Sequence, residues 1–275
     1  MFKHVLSTIK NVRDFGPSIL SAAIKRPDTN GYSSVNTRFG EFKVRRSETD
    51  WEVLRQIFAR RECDLDRLKQ GHVVRDLYEA TLAAGTTPLI IDAGANVGFT
   101  ARFFAASYPL AHIISIEPDP ENVALCRENT KDFPNIEVIE AAVGAKPGHV
   151  SIARQAGNAW GSRTYPAESG IRIVTINELI SARGEVGPII VKIDIEGAEL
   201  ELFSGSTEWI DKTCAVVVEP HDWLFPGDRS SQPMQRAMLG TGRDFLILGE
   251  NVIWMKPLTA SKTVAEPQAP GKARS

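Results

Sequence analysis

Cysteine is scarce in this chain of 275 residues: Cys63, Cys126 and Cys214 are the three present, far apart and without a Cys-x-x-Cys pair. An odd, scattered set of thiols argues against a disulfide framework and against a thiolate zinc site, and a reducing compartment is the simpler setting. Long apolar runs are lacking too. No stretch reaches the roughly 18 apolar residues of a spanning helix. The first residues show neither a compact apolar segment nor a cleavage site, so no signal peptide is expected and the cytoplasm is the expected location. Net charge is nearly absent: 32 Lys and Arg against 34 Asp and Glu leave −2, with a pI of about 6.2. That balance gives no global attraction to nucleic acid or acidic lipid, and no nucleic-acid partner is expected. Internal repeats are missing. With 43% hydrophobic and 24% charged residues, the composition is that of a globular chain rather than a disordered, collagen-like or mucin-like one.

What is present is a strand–helix alternation. Apolar runs at Leu89–Ile91, His112–Ile116, Ile136–Ile139, Ile189–Ile193 and Ala215–Val218 read as strands. The helical patterns between them point to crossover units and a mainly parallel sheet. Phe245–Leu248 and Val252–Met255 are separated only by Gly249-Glu250-Asn251, too close for a crossover, so they should pair antiparallel. Residues 148–174 break the alternation and read as an inserted hairpin, His149–Ala153 and Ile171–Val174, around a loop at 155–170. Upstream, Phe39, Phe42 and Val44 suggest a strand or hairpin arm. Asp50 precedes Trp51, Val53, Leu54, Ile57 and Phe58 as a helix cap would, and residues 73–84 suggest a further helix.

The chain divides into a helical extension (1–36), a domain (37–256) and a tail (257–275) that has little to bury and is expected to be disordered. In the extension Phe2, Val5, Leu6, Ile9 and Val12 recur at helical spacing. This fits a helix packed on the domain or on a partner, and residues 2–13 leave open a weak contact with a membrane surface. No feature sets an oligomeric state.

Three strand ends carry the candidate ligand site. The first runs from Asp92 through Gly94, Ala95 and Asn96 to Gly98. A glycine at 94 permits a sharp turn without a clashing Cβ, and Gly98 would let the next helix pack closely. The dinucleotide fingerprint G-x-G-x-x-G receives a pyrophosphate. Here the glycines are spaced G-x-x-x-G and an acid lies at the turn, which would repel a pyrophosphate. It suits a ligand with a positive centre, such as the sulfonium and ammonium of S-adenosylmethionine. Glu117, followed by Pro118, ends the second strand 25 residues after Asp92 and can accept hydrogen bonds from two ribose hydroxyls. Small residues after Glu140, including Ala142, leave room for an adenine ring.

Together these residues resemble the FkbM family of S-adenosylmethionine-dependent methyltransferases. The matching pieces are Asp92 to Gly98 (DAGANVG), Glu117-Pro118, Lys192 to Glu199 (KIDIEGAE) and Glu219-Pro220-His221, with a weaker likeness at Thr49 to Arg61. The resemblance spans roughly residues 38–256, and its most family-specific piece is Lys192 to Glu199. It implies a class I, Rossmann-like α/β fold with a seven-stranded, mainly parallel sheet. It also implies O-methylation of a hydroxyl on a sugar or small natural product.

In a parallel sheet Asp194, Glu219 and His221 reach the same edge as Asp92 and Glu117. Methyl transfer needs an oriented acceptor oxygen and a base for its proton. His221, with an ordinary pKa near 6.5, is the first candidate base and Asp194 its rival. Asp194 also counts among the cofactor-binding residues. The same three side chains have the chemistry of divalent-metal ligands, although no metal is assigned. Glu196 and Glu199 are equally explained by the dipole of the helix they open. Trp160, Tyr165, Trp223 and Phe225 are candidates for stacking on an acceptor, which loops 155–170 and 221–232 should select. The rival readings are a nicotinamide-dependent oxidoreductase, disfavoured by the missing third glycine, and a non-catalytic binding module, disfavoured because no strand-end acid is lost.

Overall fold

The computed structural model describes residues 12–16, 31–45, 48–154, 162–224 and 226–257. Its first strands, β1 (Ser33–Thr37) and β2 (Gly40–Val44), pair antiparallel. Helices α1 (Glu48–Leu54) and α2 (His72–Ala83) follow. Then come β3 (Leu89–Ala93), α3 (Phe99–Ser107), β4 (His112–Glu117), α4 (Pro120–Thr130) and β5 (Ile136–Glu140). Strands β6 (Ala142–Val143), β7 (Gly148–Arg154), β8 (Ser162–Ala167) and β9 (Ile171–Val174) form a small separate sheet. Helix α5 (Ile176–Ser181), β10 (Ile190–Ile193), α6 (Glu199–Ser204), α7 (Trp209–Lys212), β11 (Ala215–Val218), α8 (Gln232–Leu239), β12 (Asp244–Leu248) and β13 (Asn251–Met255) complete the chain.

The large sheet has seven strands in the order β12-β13-β11-β10-β3-β4-β5. The five strands from β11 to β5 run parallel, and β13 and β12 pair antiparallel at the end. This is the class I arrangement expected. Its strands are short and β-branched because both faces are buried. Ile90, Ile113, Ile190 and Val217 point to one core with Phe99, Phe104 and Leu125 from the helices. Ile91, Ile114, Val191 and Val216 point to the other, with Ile180, Phe203, Trp209 and Met238. Each fully buried aliphatic side chain contributes about 1.5–3 kcal/mol. Chain order reverses between β3 and β10, so their C-terminal ends splay apart and open a crevice.

Most expected strands lie where the apolar runs put them, and α4 starts at Pro120 behind its cap, Asp119. Three details differ. The first helix of the domain begins at Glu48, ahead of Asp50. Asp50 is buried and is no cap: it accepts the Arg45 backbone N–H at 2.7 Å and the Arg45 guanidinium. The span read as a loop at 155–170 contains β8, which pairs with β7; Pro166 and the polar residues around it hid a strand exposed to water. The boundary drawn at residue 36 runs through β1.

The amphipathic segment 2–13 lies almost wholly outside the described residues, as does the tail from 258. Residues 12–15 are helical and seat Phe15 in the core. Among the described residues no helix is long and apolar enough to cross a membrane.

The hairpin braces the crevice. Phe42 is fully buried, edge-on to Phe58 and Phe99, with the Arg102 guanidinium 3.9 Å above its ring. Asn129 donates to the Lys43 and Val97 carbonyls, tying β2 to the turn after β3. Truncation by Phe42→Ala should therefore cost about 3–5 kcal/mol of stability. Chemical denaturation checks this; a loss under about 1 kcal/mol would mean that the hairpin is peripheral to the core.

Candidate active site

The crevice is a two-lobed cleft over the ends of β3 and β10, and both lobes share Gly94, Asn96, Asp194 and Glu196. These residues sit where the backbone turns hardest. Gly94 has φ +83°, and a Cβ there would lie 1.7 Å from the Asp194 carbonyl oxygen. The two turns thus touch backbone to backbone, and glycine is required by its neighbour. Asn96 (φ 49°) and Glu196 (φ 51°) also occupy the left-handed region, a conformation that costs a residue with a Cβ about 1–2 kcal/mol. Gly98, at φ +86°, serves packing as expected, but against α4: a Cβ would meet Cys126 Sγ at 2.9 Å.

The first lobe is walled by Ile116, Glu117, Pro118, Asn122, Val143 and Ile195. Glu117 Oε1 accepts the Asp119 N–H (2.9 Å) and the Asn122 amide (3.2 Å), while Oε2 accepts the Asn96 N–H (2.9 Å). Burial raises the Glu117 pKa, and these donors oppose the rise. Arg45 Nη1 donates to Asn122 Oδ1 at 2.9 Å, so the segment after the hairpin holds the residue that holds Glu117. Ala142 was expected here and does not line the lobe; its neighbour Val143 does. Adjacent strand residues face opposite ways.

Asp92 lines neither lobe. It lies one layer below, in register with Ser115 on β4 and Lys192 on β10. Ser115 and Asp92 are fully buried, and Lys192 is 3% exposed. Neither Asp92 carboxylate oxygen has a hydrogen-bond partner, and Lys192 Nζ is 4.0 Å away. Burial lifts the Asp92 pKa to about 7, against the pull of Lys192. Lys192 itself bonds Asp194 Oδ2 at 2.9 Å. Desolvation works against its charge, but Asp194 and Asp92 outweigh it and raise its pKa.

The second lobe gathers Gln56, Cys63, Lys192, Glu219, His221 and Trp223. His221 is buried, its Nδ1 2.8 Å from Glu199 Oε1 and its Nε2 3.6 Å from Asp194 Oδ1. Burial opposes the imidazolium, yet Glu199, Asp194 and Glu219 together raise its pKa to about 9. This differs from the ordinary value near 6.5 expected from sequence: ringed by three acids, the ring holds its proton at neutrality. Glu219 moves the same way for another reason, since burial and the nearby Asp194 lift it to about 7. The side chains of Asp194, Glu219 and His221 each bring one ligand atom within 4.8 Å of the others.

Two members of this lobe, Lys192 and Gln56, and a buried residue behind it, Glu199, have roles that the sequence does not reveal. Glu199 looked like a helix-terminus acid and is instead the buried partner of His221. Lys192 was seen only as part of a motif. Gln56 projects from a π-helical turn, Arg55–Ala59, that directly continues α1, and its amide lies 3.4 Å from both Glu219 Oε2 and Glu250 Oε2. Such widened turns recur at functional sites, but no residue pattern announces one. Trp160 and Phe225 lie outside the described residues. Tyr165 is exposed on β8 and absent from both lobes.

A sequence model of the methyltransferase FkbM domain matches residues 92–238, just over half of the chain. The hexuronic acid methyltransferase AglP of Haloferax volcanii is 25% identical over 230 residues, which cover 82% of this chain and 86% of that protein. The 2-O-methyltransferase NoeI of Sinorhizobium fredii is 27% identical over 155 residues, 49% of this chain and 64% of that one; its length is thus spanned by slightly less than two thirds. Among solved structures, a methyltransferase FkbM from Methylobacillus flagellatus aligns with a TM-score of 0.42 and 17% identity, over 62% of this chain and 44% of that chain. On the strength of the domain match, the chain belongs to the FkbM family of methyltransferases.

Proposed function

We propose that the chain transfers a methyl group from S-adenosylmethionine to a hydroxyl oxygen of a sugar or a sugar-bearing small molecule. The observation that carries this reading is the convergence of Asp194, Glu219 and His221 in the second lobe, within 4.8 Å of one another, with Asp194 shared by both lobes. The relatives' names, one a hexuronic acid methyltransferase and the other a 2-O-methyltransferase, support a sugar hydroxyl as acceptor.

The first lobe fits an adenosine-bearing cation. Glu117 Oε2 takes a single donor and keeps capacity for ribose hydroxyls. Ile116, Val143 and Ile195 offer apolar walls for a flat ring. Gly94 and Asn96 line the turn, with Ala95 on the side of the second lobe. Asp194 and Glu196, with Asp92 beneath, supply negative potential to a sulfonium and an ammonium. Asp92 acts in this scheme through the field and through its neighbours, not by contact. Once bound, S-adenosylmethionine supplies an electrophilic methyl group.

In the second lobe, Glu219 is assigned as the base. A carboxyl with a pKa near 7 accepts a proton more readily than an ordinary one and is still ionised enough near neutrality to act. The acceptor hydroxyl gains the methyl on oxygen and gives its proton to Glu219. His221, held protonated by Glu199, orients the acceptor oxygen through Nε2–H. Asp194 is the other anchor, fixed in place by Lys192. No metal is assigned to the three side chains, because Lys192 already supplies the positive charge that Asp194 needs.

Three measurements test this. Calorimetric titration with S-adenosylmethionine should show binding, and Glu117→Ala should weaken it by about 1.5–3 kcal/mol, the worth of hydrogen bonds to a charged group. Unchanged affinity in the variant would misplace the ribose. For wild type, kcat/KM should rise with pH through an apparent pKa near 7. Glu219→Gln should lower it by about 10²–10⁴-fold and abolish that limb; a limb that survives in Glu219→Gln moves the base elsewhere. The imidazole of His221, followed by NMR, should titrate near 9 and drop toward the ordinary range in Glu199→Gln. A midpoint near 6.5 in wild type would restore His221 as the candidate base.

A further inference from the structure

The charges of the second lobe narrow the acceptor class, given the methyl-transfer reading above. Among the described residues that line it, the acids are Asp194, Glu196 and Glu219 and the cations are Lys192 and His221. The charge of both cations is already balanced by acids, with the His221 Nε2–H left to the acceptor oxygen. Lys192 is buried against Asp194 at 2.9 Å, and His221 is buried between Glu199 and Asp194. The arginines behind Gln56 are committed as well, Arg55 to Glu52 and Arg60 to Glu52 and Glu62. Gln56 spans Glu219 inside the lobe and one further carboxylate, Glu250, at the rim. An acceptor carboxylate or phosphate brought into this lobe would lose water, meet Asp194 and Glu219, and find no uncommitted cation among the described lining residues. Neutral hydroxyls meet the opposite situation, because carboxylates are strong acceptors for their protons.

Trp223 supplies the other half of the argument. It is 65% exposed, lies in the wall of the lobe, and its ring is tilted 36° to His221 at a centroid distance of 6.4 Å. A large indole left in water beside His221 presents an apolar face next to hydrogen-bonding groups, and a pyranose ring has that same pair of surfaces.

We propose that the acceptor is an uncharged glycoside, with the apolar face of its ring on Trp223 and its hydroxyls toward Asp194 and Glu219. Anionic sugars are rejected, and this chain therefore differs in acceptor from the relative named for hexuronic acid.

The test uses the full-length protein and matched pairs of methyl glycosides that differ only at C6: glucoside and glucuronoside, galactoside and galacturonoside, mannoside and mannuronoside. Transfer of labelled methyl from S-adenosylmethionine is measured for each. Binding to the complex with S-adenosylhomocysteine is followed in parallel by saturation-transfer NMR. In at least one pair the neutral member should bind and be methylated with kcat/KM higher by about tenfold or more. Trp223→Ala should raise KM for that member by about three- to tenfold with kcat within about twofold, and Trp223→Phe should restore most of the loss.

Equal or better use of the uronosides overturns the charge argument, and an unchanged KM in Trp223→Ala overturns the platform. A protein that binds S-adenosylhomocysteine yet binds none of the glycosides overturns the proposal while leaving the donor site intact. Failure to bind S-adenosylhomocysteine overturns the methyl-donor reading itself and, with it, this proposal.

Discussion

One buried ammonium organises the reactive edge of the sheet. Lys192 is 3% exposed and lies between a carboxylate in its own layer, Asp92, and one a layer higher, Asp194. Removing one partner of a buried ion pair costs about 3–5 kcal/mol, because the other is left charged and dry. Each member therefore fixes the others. The constraint extends upward, since Asp194 also faces His221, which Glu199 grips from behind. A chain of alternating charge runs from the middle of the sheet to the cleft. Its excess is negative, which suits a cationic donor and is shielded from water by the cores on both sides of the sheet.

The fold was legible because its strands are buried on both faces. Runs such as Ile90-Ile91 and Val216-Val217-Val218 have no polar side to confuse with a surface helix. Strand-end acids followed by glycine or proline then marked where the chain turns. Legibility failed where water reaches one face: β8, with Pro166 and exposed Tyr165, looked like loop. It also failed where a tertiary contact replaced a local rule, as when Asp50 turned back to Arg45 instead of capping its helix.

The candidate site was legible by address more than by role. Gly94, Asn96, Glu117, Asp194, Glu219 and His221 do line one cleft. Asp92 belongs to the same motif but lies one layer beneath the cleft, two residues before the turn at Gly94 and in register with Lys192. The pairing of Glu199 with His221 joins residues 22 apart, and that of Gln56 with Glu219 spans 163. Neither distance leaves a periodic trace. The protonation of His221 was hidden for the same reason: it depends on three acids that meet only after folding.

The two lobes have different origins along the chain. Every residue lining the first falls within 92–238, the stretch shared with the family. The second takes Val53, Gln56, Ile57 and Cys63 from before that stretch and Asn251 from after it. The half of the cleft assigned to the donor is thus carried by the inherited module, and the half assigned to the acceptor is completed by flanking sequence. Divergence in those flanks can redirect the enzyme to new molecules while leaving its currency untouched.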